Sequence, residues 1–406
     1  MEKIKLLAVG DDIRFYSGMG IQLRKVLTGL LKTGDYDIAE VACSNVPHPP
    51  EMVEFEGVRL YPARDYGHTE DFRRILSIEH PQVVLALGDP RQFTQLFMMD
   101  NEIRPSAKFI LWHVWDNDPF PKFNAPLYAA CDRIVTFSNF SHNLLKSGGV
   151  ENDCITCSVD PKDFYTLPAE IVRQGRTELF STANGEPVNF LVFWNSRNGA
   201  RKRLPEMLLS FKRFSLKHPD SMLFMNTDSR DREGTDVVTV YQDVEPTDVH
   251  VVFNFEKMTT PQLNLMYNMA DVTCDISFWE GFGLSIAESL AVGTPVICTK
   301  TGGMTEQVMT PEGEAGVGLD PVVRNLHGTL EVPYIFQDYV SSDQIVDALE
   351  KMYLTGILNR QHLGRCGQRH VLADFSVDRM VAKFDKLIRE EAAKPITFQN
   401  WQVLTI

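Results

Sequence analysis

Short, largely apolar runs alternate with longer stretches in which apolar residues recur three and four positions apart, and this alternation persists over most of the chain. In the first half the runs are Ile4–Val9, Ile38–Cys43, Val83–Leu87, Phe109–Trp112 and Ile134–Phe137. Runs this short and this continuously apolar read as strands buried on both faces of a parallel sheet. Between the first two, Leu23, Val26, Leu27, Leu30 and Leu31 fall on one face of a helix. A second series follows at Phe190–Trp194, Met222–Met225, Val249–Phe253, Val272–Ile276 and Pro295–Thr299. Strands alternating with helices predict an α/β fold with two doubly wound domains.

The pattern stops near Val159-Asp160-Pro161, and Leu167 to Pro187 is polar with little periodicity, so it reads as a linker. The expected division is 1–166 for a first domain, 167–187 for the linker, 188–372 for a second domain and 373–406 for a closing segment. Phe375 to Glu391 is predicted to be a single amphipathic helix with Met380, Phe384 and Leu387 on one side, followed by an aromatic tail around Trp401.

Composition narrows the function classes. With 44% hydrophobic and 23% charged residues over 406 positions, the chain can bury two cores. The opening MEKIKLLAVGDD has too short an apolar run for a signal peptide, and no segment reaches the roughly 18 apolar residues of a membrane span, so a cytoplasmic protein is expected. A net charge of -14 opposes non-specific binding to nucleic acid, without excluding a local basic groove. The seven cysteines sit mostly in apolar runs and read as reduced core residues. Cys154-Ile-Thr-Cys157 has the spacing of a knuckle but no second pair or His cluster, so no metal site is expected there.

Ligands of doubly wound sheets bind at the carboxyl ends of the strands, so the strand-to-helix turns carry the functional information. The turn after the first strand contains Ser17-Gly18-Met-Gly20, where glycines allow close backbone approach and a helix start favours an anion. The turn after Trp194 reads Asn195-Ser-Arg197-Asn-Gly-Ala-Arg201-Lys202-Arg203, with four cations within seven positions. A diphosphate is the natural counter-charge: Arg grips phosphate oxygens as a fork and Lys acts as a point charge. The most informative turn is Ser277-Phe-Trp-Glu280-Gly281-Phe282-Gly283-Leu284-Ser-Ile-Ala-Glu288. Its glycines let amides approach phosphate or sugar, and its carboxylates suit the hydroxyls of a ribose or hexose. In the turn at Leu111-Trp112-His113-Val-Trp115-Asp116-Asn-Asp118, His113 is read two ways, as a packed core residue or as a group near a reacting sugar.

Taken with Ala291-Val-Gly-Thr-Pro-Val-Ile297, Thr301-Gly-Gly-Met-Thr-Glu306 and Leu265-Met-Tyr267-Asn-Met-Ala-Asp271, the Glu280 to Glu288 segment resembles the E-x7-E signature of retaining glycosyltransferases of the GT-B fold, family 4 in particular. The resemblance is strong from Phe190 to Val308 and looser elsewhere. It implies two Rossmann-like doubly wound domains facing across a cleft, with a C-terminal helix crossing back to the first. It also implies an enzyme that moves a sugar from a nucleotide-sugar donor to a hydroxyl of a carbohydrate, a lipid-linked glycan or another acceptor, with retention and with neither metal nor other cofactor.

By the same resemblance Glu280 contacts hydroxyls of the donor sugar and Glu288 holds the nucleotide ribose. Arg197 and Lys202, five apart, bind the diphosphate, and Gly18, Gly20, Gly281, Phe282, Gly283 and Leu284 line the donor. His113 falls where relatives place a histidine by the sugar. Asp116-Asn-Asp118 spells the D-x-D of the other main glycosyltransferase fold, against every other motif here. The chain departs from the family at Ser196 and Arg203, where glycine is common, and at Thr305, where proline is usual. Three rival readings are a non-catalytic nucleotide-sugar-binding protein, a transferase acting on modified DNA bases, and a phosphorylase or epimerase on the same fold. The intact Arg197, Lys202, Glu280 and Glu288 disfavour the first, and the acidic composition disfavours the second.

Overall fold

The computed structural model describes residues 2–15, 17–44, 51–180, 185, 187–243, 250–330 and 332–397. The chain divides into two units, one of residues 1–158, 328–334 and 377–406 and the other of residues 159–327 and 335–376.

The first unit contains β1 (Ile4–Asp11), β2 (Tyr36–Ser44), β3 (Val53–Phe55), β4 (Val58–Arg64), β5 (Val83–Gly88), β6 (Lys108–His113), β7 (Arg133–Thr136) and β8 (Asp153–Cys154). They lie in the order β3-β4-β2-β1-β5-β6-β7-β8, parallel throughout except for β3 against β4. Every residue of β5 and β6 is buried, as expected of central strands covered on both faces. The closing helix spans Val377–Ala393 and packs on the helix Gly18–Leu31. Met380, Phe384 and Leu387 form its buried side, with Phe384 edge-on to Trp112 at 4.6 Å. Trp401 and the expected aromatic tail lie outside the described residues.

The second unit contains β9 (Phe190–Asn195), β10 (Ser221–Asn226), β11 (Val251–Asn254), β12 (Val272–Asp275), β13 (Val296–Thr299), a small β14 (Met309–Thr310) with β15 (Gly313–Glu314), and β16 (Gly316–Leu319). Its main sheet is parallel in the order β11-β10-β9-β12-β13-β16. A hairpin of β17 (Val323–His327) and β18 (Ile335–Tyr339) follows. The chain moves outward from β9 through β10 to β11 and then returns to place β12 on the other side of β9. The order therefore reverses between β9 and β12, and the loops that follow these two strands meet at a topological switch point. Phe190, Val192, Trp194, Phe211, Phe214, Leu223 and Met225 build the core beneath it, all fully buried.

Two elements are not legible in the sequence pattern. The segment read as a linker holds a helix, Ala169–Leu179, with no buried residue, so no apolar stripe announced it. Arg176 anchors it instead, donating to the carbonyls of Met269 (3.0 Å) and Val188 (2.9 Å) and to Asp271 Oδ2 (2.7 Å). The hairpin β17–β18 was also unforeseen, because all five residues of β17 are exposed and carry no alternation.

If the core is packed as described, Phe211→Ala lowers the unfolding free energy of the second unit by about 3–5 kcal/mol, read from denaturant unfolding. Leu358→Ala, at a position 76% exposed, changes it by less than about 0.5 kcal/mol.

Candidate functional site

The loop after β9 runs through Arg197 to a short 3-10 turn, Ala200–Lys202, and enters the helix Leu204–Ser215. The loop after β12 runs from Ile276 to Gly283 and enters the helix Leu284–Val292. The two loops are joined by a backbone hydrogen bond from Phe278 N to Arg201 O, 2.8 Å. Side chains complete the junction. Lys202 Nζ donates to Glu280 Oε2 at 2.6 Å and to Asp275 Oδ2 at 2.9 Å. Arg201 Nη1 donates to the same Glu280 oxygen at 2.6 Å and to Trp279 O at 2.9 Å.

Burial alone would raise the pKa of Glu280, but the charges of Arg201 and Lys202 and their hydrogen bonds overcome it, and the carboxyl is lowered to about 2. Glu280 is thus a carboxylate over the whole neutral range, held on one oxygen by two cations.

The four cations of the loop fall into three environments, with Arg201 and Lys202 sharing Glu280. Arg197 is 60% exposed at its side chain and forks onto Asp231 (2.6 and 3.0 Å), with Glu233 3.0 Å away. It belongs to a rim formed with the loop after β10 and makes none of its described contacts with Glu280. Arg203 is structural: it is buried, donates to Val340 O at 2.7 Å, pairs with Glu206 at 2.7 Å and lies over the rings of Phe278 and Tyr339. Its backbone is left-handed, φ 60°, a conformation that glycine adopts without strain. The sequence reading placed Arg203 among the ligand-facing charges, and its packing explains how arginine is accommodated there. The sequence counts Arg201 only as one of the four cations of the loop, and its pairing with Glu280 emerges from the structure.

The turn at 280–284 is held by close backbone approach. A Cβ on Gly303 would lie 2.3 Å from Gly281 O and 2.8 Å from Phe282 Cα. Gly303 N donates to Glu280 O at 3.0 Å. Gly283 has φ 86° and a Cβ there would meet Met304 Cγ at 2.7 Å. Gln307 Nε2 donates to Phe282 O, and the Phe282 ring is edge-on to Phe375 at 5.0 Å. Glu288 lies in the helix that follows, where Tyr267 Oη donates to its Oε2 at 2.8 Å.

Gly18, Gly20 and His113 belong to the first unit. Ser17 caps the helix Gly18–Leu31, its Oγ accepting from Gly20 N at 2.9 Å and donating to Asp11 Oδ2 at 2.6 Å. His113 ends β6, is fully buried and has Nε2 2.7 Å from Tyr128 Oη. Burial lowers its pKa to about 4, so it is neutral at pH 7.

Residues 185–323 match the family model described as glycosyl transferases group 1. That stretch is similar to a glycosyl transferases group 1 domain. It contains β9 to β12, the cationic loop and the whole Glu280 to Glu288 turn. A D-inositol 3-phosphate glycosyltransferase of Pseudarthrobacter chlorophenolicus is 37% identical over 70 residues, 17% of this chain and 16% of that protein. The matched segments span 16% to 39% of the curated relatives' own lengths. Among solved structures, sucrose-phosphate synthase of Thermosynechococcus elongatus superposes with a TM-score of 0.74 at 17% identity over 96% of this chain and 99% of that one. Anabaena Alr3699/HepE in complex with UDP-glucose gives 0.69 at 14% identity over 95% and 100%. These likenesses show the GT-B fold for the chain.

Acid unfolding separates two of these groups. A histidine whose folded pKa is lowered destabilises the fold as pH falls from its unfolded value of about 6.5 to about 4, where the effect levels off. A glutamate lowered to about 2 contributes stability above its unfolded value of about 4.3 that is lost as pH falls towards 2. In unfolding free energy measured against pH, His113→Phe therefore flattens the window from 6.5 to 4, and Glu280→Gln flattens only the window below about 4.5.

Proposed function

We propose that the protein is a glycosyltransferase that moves a sugar from a nucleotide-sugar donor to a hydroxyl of a carbohydrate, a lipid-linked glycan or another acceptor, and that the second unit binds the donor. The observation that carries the proposal is the carboxylate of Glu280 held between Lys202 and Arg201 at a switch point inside the stretch that matches the group 1 family model.

The chemistry follows from where the charges stand. Breaking the bond between sugar and diphosphate places negative charge on the leaving oxygen, and fixed cations at that place stabilise the transition state more than the ground state. Lys202 is the better placed for this role, because its ammonium is buried and is also fixed by Asp275 at 2.9 Å. Arg197, at the rim, grips the outer phosphate oxygens. Glu280, ionised and pinned on one oxygen, accepts hydrogen bonds from hydroxyls of the transferred sugar and fixes its orientation. The first turn of the helix Leu284–Val292 adds backbone N–H groups that have no partner within the helix. Glu288 accepts from the ribose. The cations of the protein supply the positive charge, so the transfer is proposed to proceed without a metal. Retention of anomeric configuration is part of the proposal and rests on the likeness of the Glu280 and Glu288 pair to that of retaining enzymes. His113, neutral and packed on Tyr128, contributes through packing or a hydrogen bond rather than by carrying a proton.

The UDP-glucose in the HepE complex makes uridine donors the first to try. Thermal unfolding with UDP, GDP, ADP and TDP and their common sugars tests the reading. A ligand at a hundredfold excess over its Kd adds about 2.7 kcal/mol, so one nucleotide is expected to raise the midpoint clearly. Lys202→Ala abolishes that rise and Arg197→Ala reduces it. A midpoint unmoved by every nucleotide at millimolar concentration contradicts the assignment of the second unit.

A further inference from the structure

The second unit holds a row of hydrogen bonds that the transfer chemistry above does not use. Asn195, Asn226 and Asn254 are the last residues of β9, β10 and β11, and each is the register partner of the next across the parallel sheet. In-register side chains of parallel strands point to one face, and here they touch end to end. Asn254 Nδ2 lies 2.6 Å from Asn226 Oδ1, and Asn226 Nδ2 lies 2.8 Å from Asn195 Oδ1. Asn195 Nδ2 lies 2.8 Å from Tyr267 Oη, which in turn lies 2.8 Å from Glu288 Oε2.

The direction of this row follows from its two chemically unambiguous members. Tyr267 is fully buried, and burial together with the charge of Glu288 pushes its pKa well up, so the phenol keeps its proton. A carboxylate accepts only, so the phenol gives that proton to Glu288 and must accept on its other side. Asn195 therefore presents its amide nitrogen to Tyr267 and its oxygen to Asn226, and the same logic sets Asn226 towards Asn254. All four bonds point towards Glu288, an arrangement in which each bond polarises the next.

We propose that Asn254, Asn226, Asn195 and Tyr267 form a positioning relay that holds Glu288 in the rotamer that receives a nucleoside ribose, so that selection for ribose depends on Asn226, two residues removed from the carboxylate. The inference rests on the reading that Glu288 meets the donor ribose. None of the three asparagines needs to touch the ligand. An aspartate at position 226 has no hydrogen to give, so Asn195 turns its amide over to donate to it and offers its oxygen to Tyr267. The phenol then has a second acceptor competing with Glu288.

Calorimetric binding of UDP, GDP and ADP and of their 2′,3′-dideoxy forms tests this on the full chain with Glu288→Gln, Tyr267→Phe, Asn226→Asp and Asn226→Leu. The native protein is expected to prefer the ribose form of its nucleotide roughly 10- to 100-fold, the range for a hydrogen bond to a charged group. Tyr267→Phe and both Asn226 variants should bring that preference down towards the value for Glu288→Gln, with affinity for the dideoxy form unchanged. A ligand-free measurement accompanies it. Substitutions that share no partner add in their effect on the unfolding midpoint, whereas the relay makes Asn226→Leu and Glu288→Gln non-additive. Additive shifts, or a native ribose preference in both Asn226 variants, overturn the relay. Non-additive shifts in a protein that binds no nucleotide, or whose ribose preference survives Glu288→Gln, overturn the ribose role instead and show that the donor reading, rather than the relay, has failed.

Discussion

The ammonium of Lys202 lies between Glu280 and Asp275 in a space largely closed to water, and Arg201, a third exposed, reaches the same Glu280 oxygen from the solvent side. Taking ions out of water costs several kcal/mol for each, and the attraction among them offsets that only when every member is present and well placed. The four are therefore mutually dependent: deleting one leaves a charge without its counterpart. The cluster also joins the loops after β9 and β12, which the backbone alone ties with the bond from Phe278 to Arg201. Its net charge is zero as it stands, so a diphosphate approaching Lys202 competes with Glu280 for the same ammonium. In the proposed reaction that competition is the physical link between gripping the diphosphate and orienting the sugar.

The fold makes this cluster possible by order rather than by proximity in sequence. Lys202 and Glu280 are 78 residues apart, and what unites them is that β12 is inserted beside β9 after the chain has travelled to the far edge at β11. Packing then fixes the loops. Gly303 admits the carbonyl of Gly281 where any side chain would clash, and Arg203 anchors the other loop by stacking on Phe278 and Tyr339. Arg203 holds a left-handed backbone that costs a non-glycine residue roughly 1 kcal/mol, and its ion pair with Glu206 and its bond to Val340 keep it there.

How much of this was legible in the sequence depends on what kind of force builds each part. Central strands such as β5, β6 and β9 were legible because burial on both faces makes them continuously apolar. The closing helix was legible through Met380, Phe384 and Leu387. The helix Ala169–Leu179 was not, because the polar contacts of Arg176 rather than a buried stripe hold it. The β17 strand was illegible for the same reason, being exposed along its length. At the site, the motif spacing pointed to Lys202 and Glu280, which the structure brings together. It could not separate the four neighbouring cations, because a rim fork onto Asp231, a clamp on Glu280 and a stack on Phe278 all begin from the same residue types. The asparagine row was hidden because asparagine at a strand end reads as a turn residue, and only strand register shows that three of them are neighbours.

The most direct measurement is the release of nucleoside diphosphate from nucleotide sugars, with an acceptor panel, by the native protein and by Lys202→Met, Glu280→Gln and Arg197→Met. With Lys202 and Glu280 as the centre of the chemistry, the first two lose on the order of 10²- to 10³-fold in turnover, the usual effect of removing a group that stabilises developing charge, and the rim variant loses less. Turnover that survives Lys202→Met within a few-fold, or a native protein that releases no diphosphate from any sugar nucleotide, would contradict the account.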